Sequence, residues 1–308
     1  MEWEVQLIEW LQNSSGSFIS VLGKIFSFMG GEHGLLLVSL IVLFCWKKES
    51  GKKLALVVLA VNVWAPMIKA VVMRLRPYMD YPDRVKALEL VESDTEAMDI
   101  AAQGYSFPST HSASAASLYL SLAGEVKKRW MWIVAVAITL MVGISRVAVG
   151  MHYPTDVMAG WAVGLAGIAI LSFLNKLENE YIRYLILLLF ALPGVFYVRT
   201  QDYFTSLGLL IGLIIAIPFE QKFVKFRDTR YVPAMILRTI FAFVIYFVLN
   251  TLLKLPFDRA FLDSGSIAAF LVRTARYAVI IFVIIGVYPK IFTLYEKIGK
   301  NRKDLEEE

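Results

Sequence analysis

Residues 130–174 read WMWIVAVAITLMVGISRVAVGMHYPTDVMAGWAVGLAGIAILSFL. Two apolar blocks, near 130–148 and 155–174, meet at a short polar junction: Ser145 and Arg146 end the first, His152 lies between them, and Asp156 opens the second. Each block has about the ~18–20 residues that a helix needs to cross a hydrocarbon core. The stretch therefore reads as a membrane hairpin with ionisable groups at its turn. Such groups are costly at membrane depth and are functional candidates by default.

Working outward, apolar blocks near 33–46, 53–73, 109–124, 182–198, 204–219, 233–253 and 267–288 bring the expected total to nine spans. The fold class is all-α, a polytopic transmembrane bundle. Composition agrees, because the 308 residues are 58% hydrophobic and 19% charged, against about 45–50% and about 25% in soluble domains. The net charge of +5 sits in short clusters between blocks. No basic face interleaves with exposed aromatics, which argues against a nucleic-acid partner and for the bilayer. The single cysteine, Cys45, excludes an intramolecular disulfide. Glu2 and Glu4 stand where a signal peptide would be basic, so the first spans are expected to act as the targeting signal.

Loop charge sets an orientation. Basic clusters at Lys47–Lys53, Lys127–Arg129, Lys176/Arg183, Lys222–Arg230 and the Lys290–Lys303 tail fall in every second connection. The positive-inside bias assigns those to the cytoplasm, with the C-terminus inside and the N-terminus outside. The expected location is a bacterial plasma membrane. Three regions follow: an amphipathic N-terminal segment 1–32, a core at 33–176, and additional spans with a tail at 177–308. Trp3, Leu7, Trp10, Leu11, Phe18, Val21, Leu22 and Ile25 suit a helix that lies on the outer leaflet or packs on the bundle. The external connection Tyr78–Phe107 is long and acidic, which suits a gate to the site.

Three polar clusters share the outer side. Lys69 and Arg76-Pro77 end one block, Pro108-Ser109-Thr110-His111 opens the next, and Ser145-Arg146 precedes His152 and Asp156. Lys69 and Arg76, seven apart, would share a helix face. Arg76 offers a planar fork to phosphate oxygens, Lys69 a point charge, and Arg146 a third cation. Pro108 fits a first helical position, which would leave the N–H groups of Ser109, Thr110 and His111 aimed outward at an anion. Asp156 could take one imidazole nitrogen of His152 and leave the other free to attack. Arg74 is five residues from Lys69, about 140° away on a helix, and reads as a lipid-interface residue. Ser112–Ser117 reads as a small-residue packing stripe. Arg199, Asp202, Arg238 and Arg273 could pair with one another.

Lys69-x6-Arg76-Pro77, Pro108-Ser109-Thr110-His111 and Ser145-Arg146-x5-His152-x3-Asp156 resemble the three signature motifs of the type 2 phosphatidic acid phosphatase family. Thr110 stands where the family usually has glycine, similar to sphingosine-phosphate-phosphatase-like members. The resemblance implies a lipid phosphate phosphatase without metal or other cofactor. It makes His152 the nucleophile, Asp156 its orienting partner and His111 the acid and then the base. Lys69, Arg76, Ser109, Thr110 and Arg146 hold the phosphoryl oxygens. It places the site on the extracytoplasmic face, with a phosphorylated lipid as substrate. A phosphotransferase with the same intermediate, and a lipid-phosphate transporter without chemistry, are the alternatives.

Overall fold

The computed structural model describes residues 2–88 and 104–296, without the side chains of residues 15–20 and 22. Among the described residues, all regular secondary structure is helical. The expected acidic residues Glu89, Glu92, Asp94, Glu96 and Asp99, and the basic tail beyond residue 296, lie outside the described residues. The chain divides into two compact units, Met1–Leu35 with Val57–Tyr203, and Leu36–Leu56 with Phe204–Glu308.

The helices in chain order are α1 (Glu2–Gly30), α2 (Glu32–Ile41), α3 (Lys48–Val72) and α4 (Pro77–Asp80). Next, α5 (Thr110–Ala115) runs through a π-turn at Ala116–Leu120 into α6 (Ser121–Val126). Then follow α7 (Arg129–Ala148), α8 (Pro154–Leu174), α9 (Glu180–Ala191), α10 (Gln201–Phe219), α11 (Val232–Leu252), α12 (Ile267–Phe282) and α13 (Phe292–Glu296).

Six helical stretches are long and apolar enough to cross a membrane: Lys48–Asp80, Arg129–Ala148, Pro154–Leu174, Gln201–Val224, Val232–Leu252 and Ile267–Glu296. The pair Gly23–Gly30 and Glu32–Trp46, bent by 58°, gives a seventh if it is one span. Nine were expected. The other two blocks form helices, at Thr110–Val126 and Glu180–Phe196, that stop short of about 18 residues. The first ends at Lys127, which takes φ +59° ahead of Lys128 and Arg129; in the second the α-helix itself stops at Ala191, and a 3-10 turn carrying Pro193 and Gly194 completes the stretch.

The first unit carries the polar clusters. Helix α1 is amphipathic as the sequence suggests: Trp3, Leu7 and Trp10 are exposed, while Val5 and Ile8 are fully buried. They join Tyr78, Val85, Val147, Val149, Met151, Tyr153 and Val157 in one apolar cluster. That cluster forms the floor under the Val149–Tyr153 turn. Helix α8 meets α5 backbone to backbone. A Cβ on Gly160 would lie 2.5 Å from the Ser109 carbonyl oxygen, and one on Gly164 would lie 2.5 Å from that of Ala113. Small residues on both helices allow this approach, and it brings the start of α5 against the start of α8.

In the second unit, Glu220 is buried between Lys48 at 3.1 Å and Lys52 at 3.0 Å. Arg238 was expected to pair within the set Arg199, Asp202 and Arg273; its carboxylate is instead Glu296, at 2.6 Å. Phe44, Phe226, Tyr288 and Phe292 pack edge to face around this region.

Candidate active site

The turn between α7 and α8 is fixed by its own backbone. The N–H groups of Met151 and His152 both donate to the Arg146 carbonyl, at 3.1 and 3.2 Å. Gly150, at φ +79°, supplies the left-handed residue the turn needs. Pro154 then starts α8, and Tyr153 caps it, its N–H donating to Asp156 Oδ2 at 2.9 Å. The sequence thus places His152 just before the helix and Asp156 in its first turn. Both are buried, at 2% and 0% exposure.

The expected direct bond between them is not formed. His152 Nδ1 lies 3.7 Å from Asp156 Oδ2. Ser106 bridges the gap, its Oγ being 2.5 Å from Asp156 Oδ2 and 3.3 Å from His152 Nδ1. A chain Nδ1–H to Oγ–H to carboxylate fixes the imidazole tautomer and leaves Nε2 with its lone pair.

Helix α5 begins two residues later than Pro108 suggests, at Thr110. Ser109 is its N-cap, with Oγ accepting from the Ser112 N–H and hydroxyl. The Ser109 N–H donates to the Asp156 carbonyl at 2.9 Å and so is not aimed at an anion. Among the described residues, the N–H groups of Thr110 and His111 have no partner, which leaves two donors at this helix end. His111 packs against the α1–α2 bend; a Cβ on Gly31 would lie 3.5 Å from its Nε2.

The three cations converge here. Lys69 Nζ donates to the Tyr105 carbonyl at 2.6 Å. Arg76 donates through Nε to the Gly104 carbonyl at 3.0 Å and through a terminal nitrogen to the Met151 carbonyl at 3.4 Å. Arg146 reaches the Ser27 hydroxyl of α1 at 2.5 Å. Burial, then the charges of Lys69, Arg76 and Arg146, hold the His152 imidazole well below its usual 6.5. A group with a lowered value stays neutral as pH falls through 6.5. The acid limb of kcat, if set by His152, should therefore lie below the ordinary imidazole range. A limb centred at or above 6.5 would remove His152 from that role.

Residues 50–180 match the model of the PAP2 superfamily, and residues 204–300 match that of the PAP2 superfamily phosphatase, transmembrane extension. This chain belongs to the PAP2 superfamily. The chain is 31% identical over 130 residues to an undecaprenyl-diphosphatase of Sulfolobus acidocaldarius, covering 41% of this chain and 55% of the relative. It is 39% identical over 88 residues to phosphatidylglycerophosphatase B of Bacillus subtilis, covering 26% and 41%. A third relative, the bacitracin transport permease protein BcrC of Bacillus licheniformis, is 26% identical over 184 residues, covering 53% and 84%. The matches span about half the length of the first two relatives. No solved structure matches the chain. The transmembrane extension and the apolar helices make this PAP2 chain an integral membrane protein.

Sequence reasoning set Arg74 of the PAP2 chain aside as a lipid-interface residue, and the structure overturns this. Arg74 lies 2.7 Å from Asp156 Oδ1, 2.7 Å from the Thr155 hydroxyl and 2.9 Å from Glu4. Its guanidinium also stacks 3.8 Å over the Tyr153 ring. The helical angle failed because α3 ends at Val72 and Met73 takes φ +52°, re-aiming the chain. The same break means that Lys69 and Arg76 do not share a helix face. Ser106 was missed as well. It lies just outside the motif, and a serine before Phe-Pro carries no signal of its own.

Proposed function

We propose that this protein releases phosphate from lipid phosphate esters or diphosphates by two-step phosphoryl transfer. The observation that carries the reading is a buried imidazole, His152, whose Nδ1 faces Ser106 and Asp156 and whose basicity is lowered by burial and by the charges of Lys69, Arg76 and Arg146. His152 Nε2 forms the P–N bond as the P–O bond to the lipid breaks. His111 gives its proton to the departing oxygen. In the second step His111 takes a proton from water, whose oxygen bonds phosphorus as the P–N bond breaks. Lys69, Arg76, Arg146 and the N–H groups at Thr110 and His111 hold the phosphoryl oxygens, supplying the positive charge that the transition state needs. Ser109 serves by capping α5.

The named activities of the relatives favour a prenyl or glycerolipid phosphate as substrate. Alternating loop charge supports an extracytoplasmic site and a cytoplasmic C-terminus. If the helices at Thr110–Val126 and Glu180–Phe196 also cross as short spans, the bent pair and the six long helices bring the count to nine.

Purified protein in detergent should release phosphate from prenyl diphosphate, phosphatidylglycerol phosphate or phosphatidate in the presence of a chelator. Binding without release would instead favour a carrier, as the name of the third relative suggests for that protein. Label passed to an added alcohol would favour a phosphotransferase. Flat activity across the panel would defeat the lipid reading.

A further inference from the structure

Helix α1 buries one charged group where an apolar one would fill the space. Glu4 is 2% exposed and sits beside Val5 and Ile8, both at 0%. The carboxylate reaches the catalytic region instead of solvent. Its Oε2 accepts from Arg74 at 2.9 Å. Its Oε1 accepts from the Thr155 hydroxyl at 2.6 Å and from the Thr155 N–H at 3.2 Å.

We infer that Glu4 is a positioning residue for the His152–Asp156 pair and acts through Arg74. The inference rests on the phosphohistidine reading. Asp156 has each oxygen assigned. Oδ2 takes the Tyr153 N–H and the Ser106 hydroxyl that leads to His152, and Oδ1 takes Arg74. The guanidinium therefore sets the rotation of the carboxylate, and Glu4 sets the rotation of the guanidinium by holding its other terminal nitrogen. A planar fork held between two carboxylates keeps a defined angle. Without Glu4, one terminal nitrogen loses its charged partner and the fork can swing onto Asp156, drawing Oδ2 from Ser106. The N-terminal helix then belongs to the catalytic apparatus. Its exposed stripe of Trp3, Leu7 and Trp10 faces outward while Glu4 faces the site.

A purely structural account would treat Glu4 as one of several ties that hold α1 down. Other ties exist: Arg84 pairs with Glu2 at 3.0 Å and Glu9 at 2.8 Å, and Gln12 donates to the Lys86 carbonyl at 2.8 Å. None of these touches Arg74 or Asp156, which makes Glu9 the control.

The full-length protein is assayed in detergent with phosphatidate, reading kcat and KM separately. Glu4→Gln should lower kcat about 10-fold or more, as losses of outer hydrogen-bond partners do at other sites, with KM within about twofold. Glu4→Asp should recover part of the loss. Glu9→Gln should stay within about twofold of wild type in both constants. In an Arg74→Gln background, adding Glu4→Gln should change kcat by less than about twofold, since residues acting through one another are non-additive. If Glu4→Gln alone does not fold, that background decides. Wild-type kcat in Glu4→Gln, an equal fall in Glu9→Gln, or a further loss on top of Arg74→Gln would overturn the inference. His152→Ala is measured alongside. Activity in that variant rejects the nucleophile, whereas an inactive His152→Ala beside a fully active Glu4→Gln rejects the role of Glu4 alone.

Discussion

Replacing His152 by alanine is expected to lower phosphate release by at least about 1,000-fold, because it removes the group that bonds to phosphorus. The loss should appear in kcat, with lipid phosphate still bound. Lys69, Arg76 and Arg146 come from outside the Val149–Tyr153 turn, and they are held by the Tyr105, Gly104 and Met151 carbonyls and the Ser27 hydroxyl. The fold should survive, since the turn is held by backbone bonds to the Arg146 carbonyl that alanine can also make. The melting temperature serves as the check. A variant that melts like wild type and still turns over would remove the proposed nucleophile.

The second large effect concerns His111. As general acid it should matter in proportion to how poor the leaving group is. His111→Ala should cost about 100- to 10,000-fold on an alkyl lipid phosphate. On an aryl phosphate, whose phenolate departs without a proton, the first step should be much less impaired. The second step still needs a base to activate water, so the phosphorylated enzyme should accumulate. Rapid mixing should show a burst of phenolate near one equivalent per enzyme, followed by slow turnover. Equal losses on both substrates, without a burst, would mean that His111 is not the acid.

Much of the candidate site was legible in the sequence because its charged residues stand at fixed short spacings. His152 and Asp156 follow from Pro154, which starts a helix between them, and the structure puts both in that turn. Lys69, Arg76 and Arg146 lie near the same centre, though for Lys69 and Arg76 the helical reason was wrong. What could not be read depends on backbone breaks and distant contacts. Arg74 looked lipid-facing only while α3 was assumed to continue past Val72; the positive φ at Met73 has no local signature in a methionine. Glu4 and Thr155 are 151 positions apart, and no periodicity links them. Ser106 gains its place by docking between His152 and Asp156. The helical class was plain from the apolar blocks, whereas the span count was not. Blocks of similar hydropathy gave helices on either side of the length that crosses a membrane.

The most direct test of the account is to trap the intermediate. Protein mixed with radiolabelled lipid phosphate and quenched in alkaline denaturant should carry covalent phosphate that is stable to alkali and lost in acid, as a phosphoramidate is. Peptide mass spectrometry should place it on His152, and His152→Ala should carry none. Label on a different residue, or phosphate released at the normal rate with no labelled protein at any time point, would contradict the mechanism.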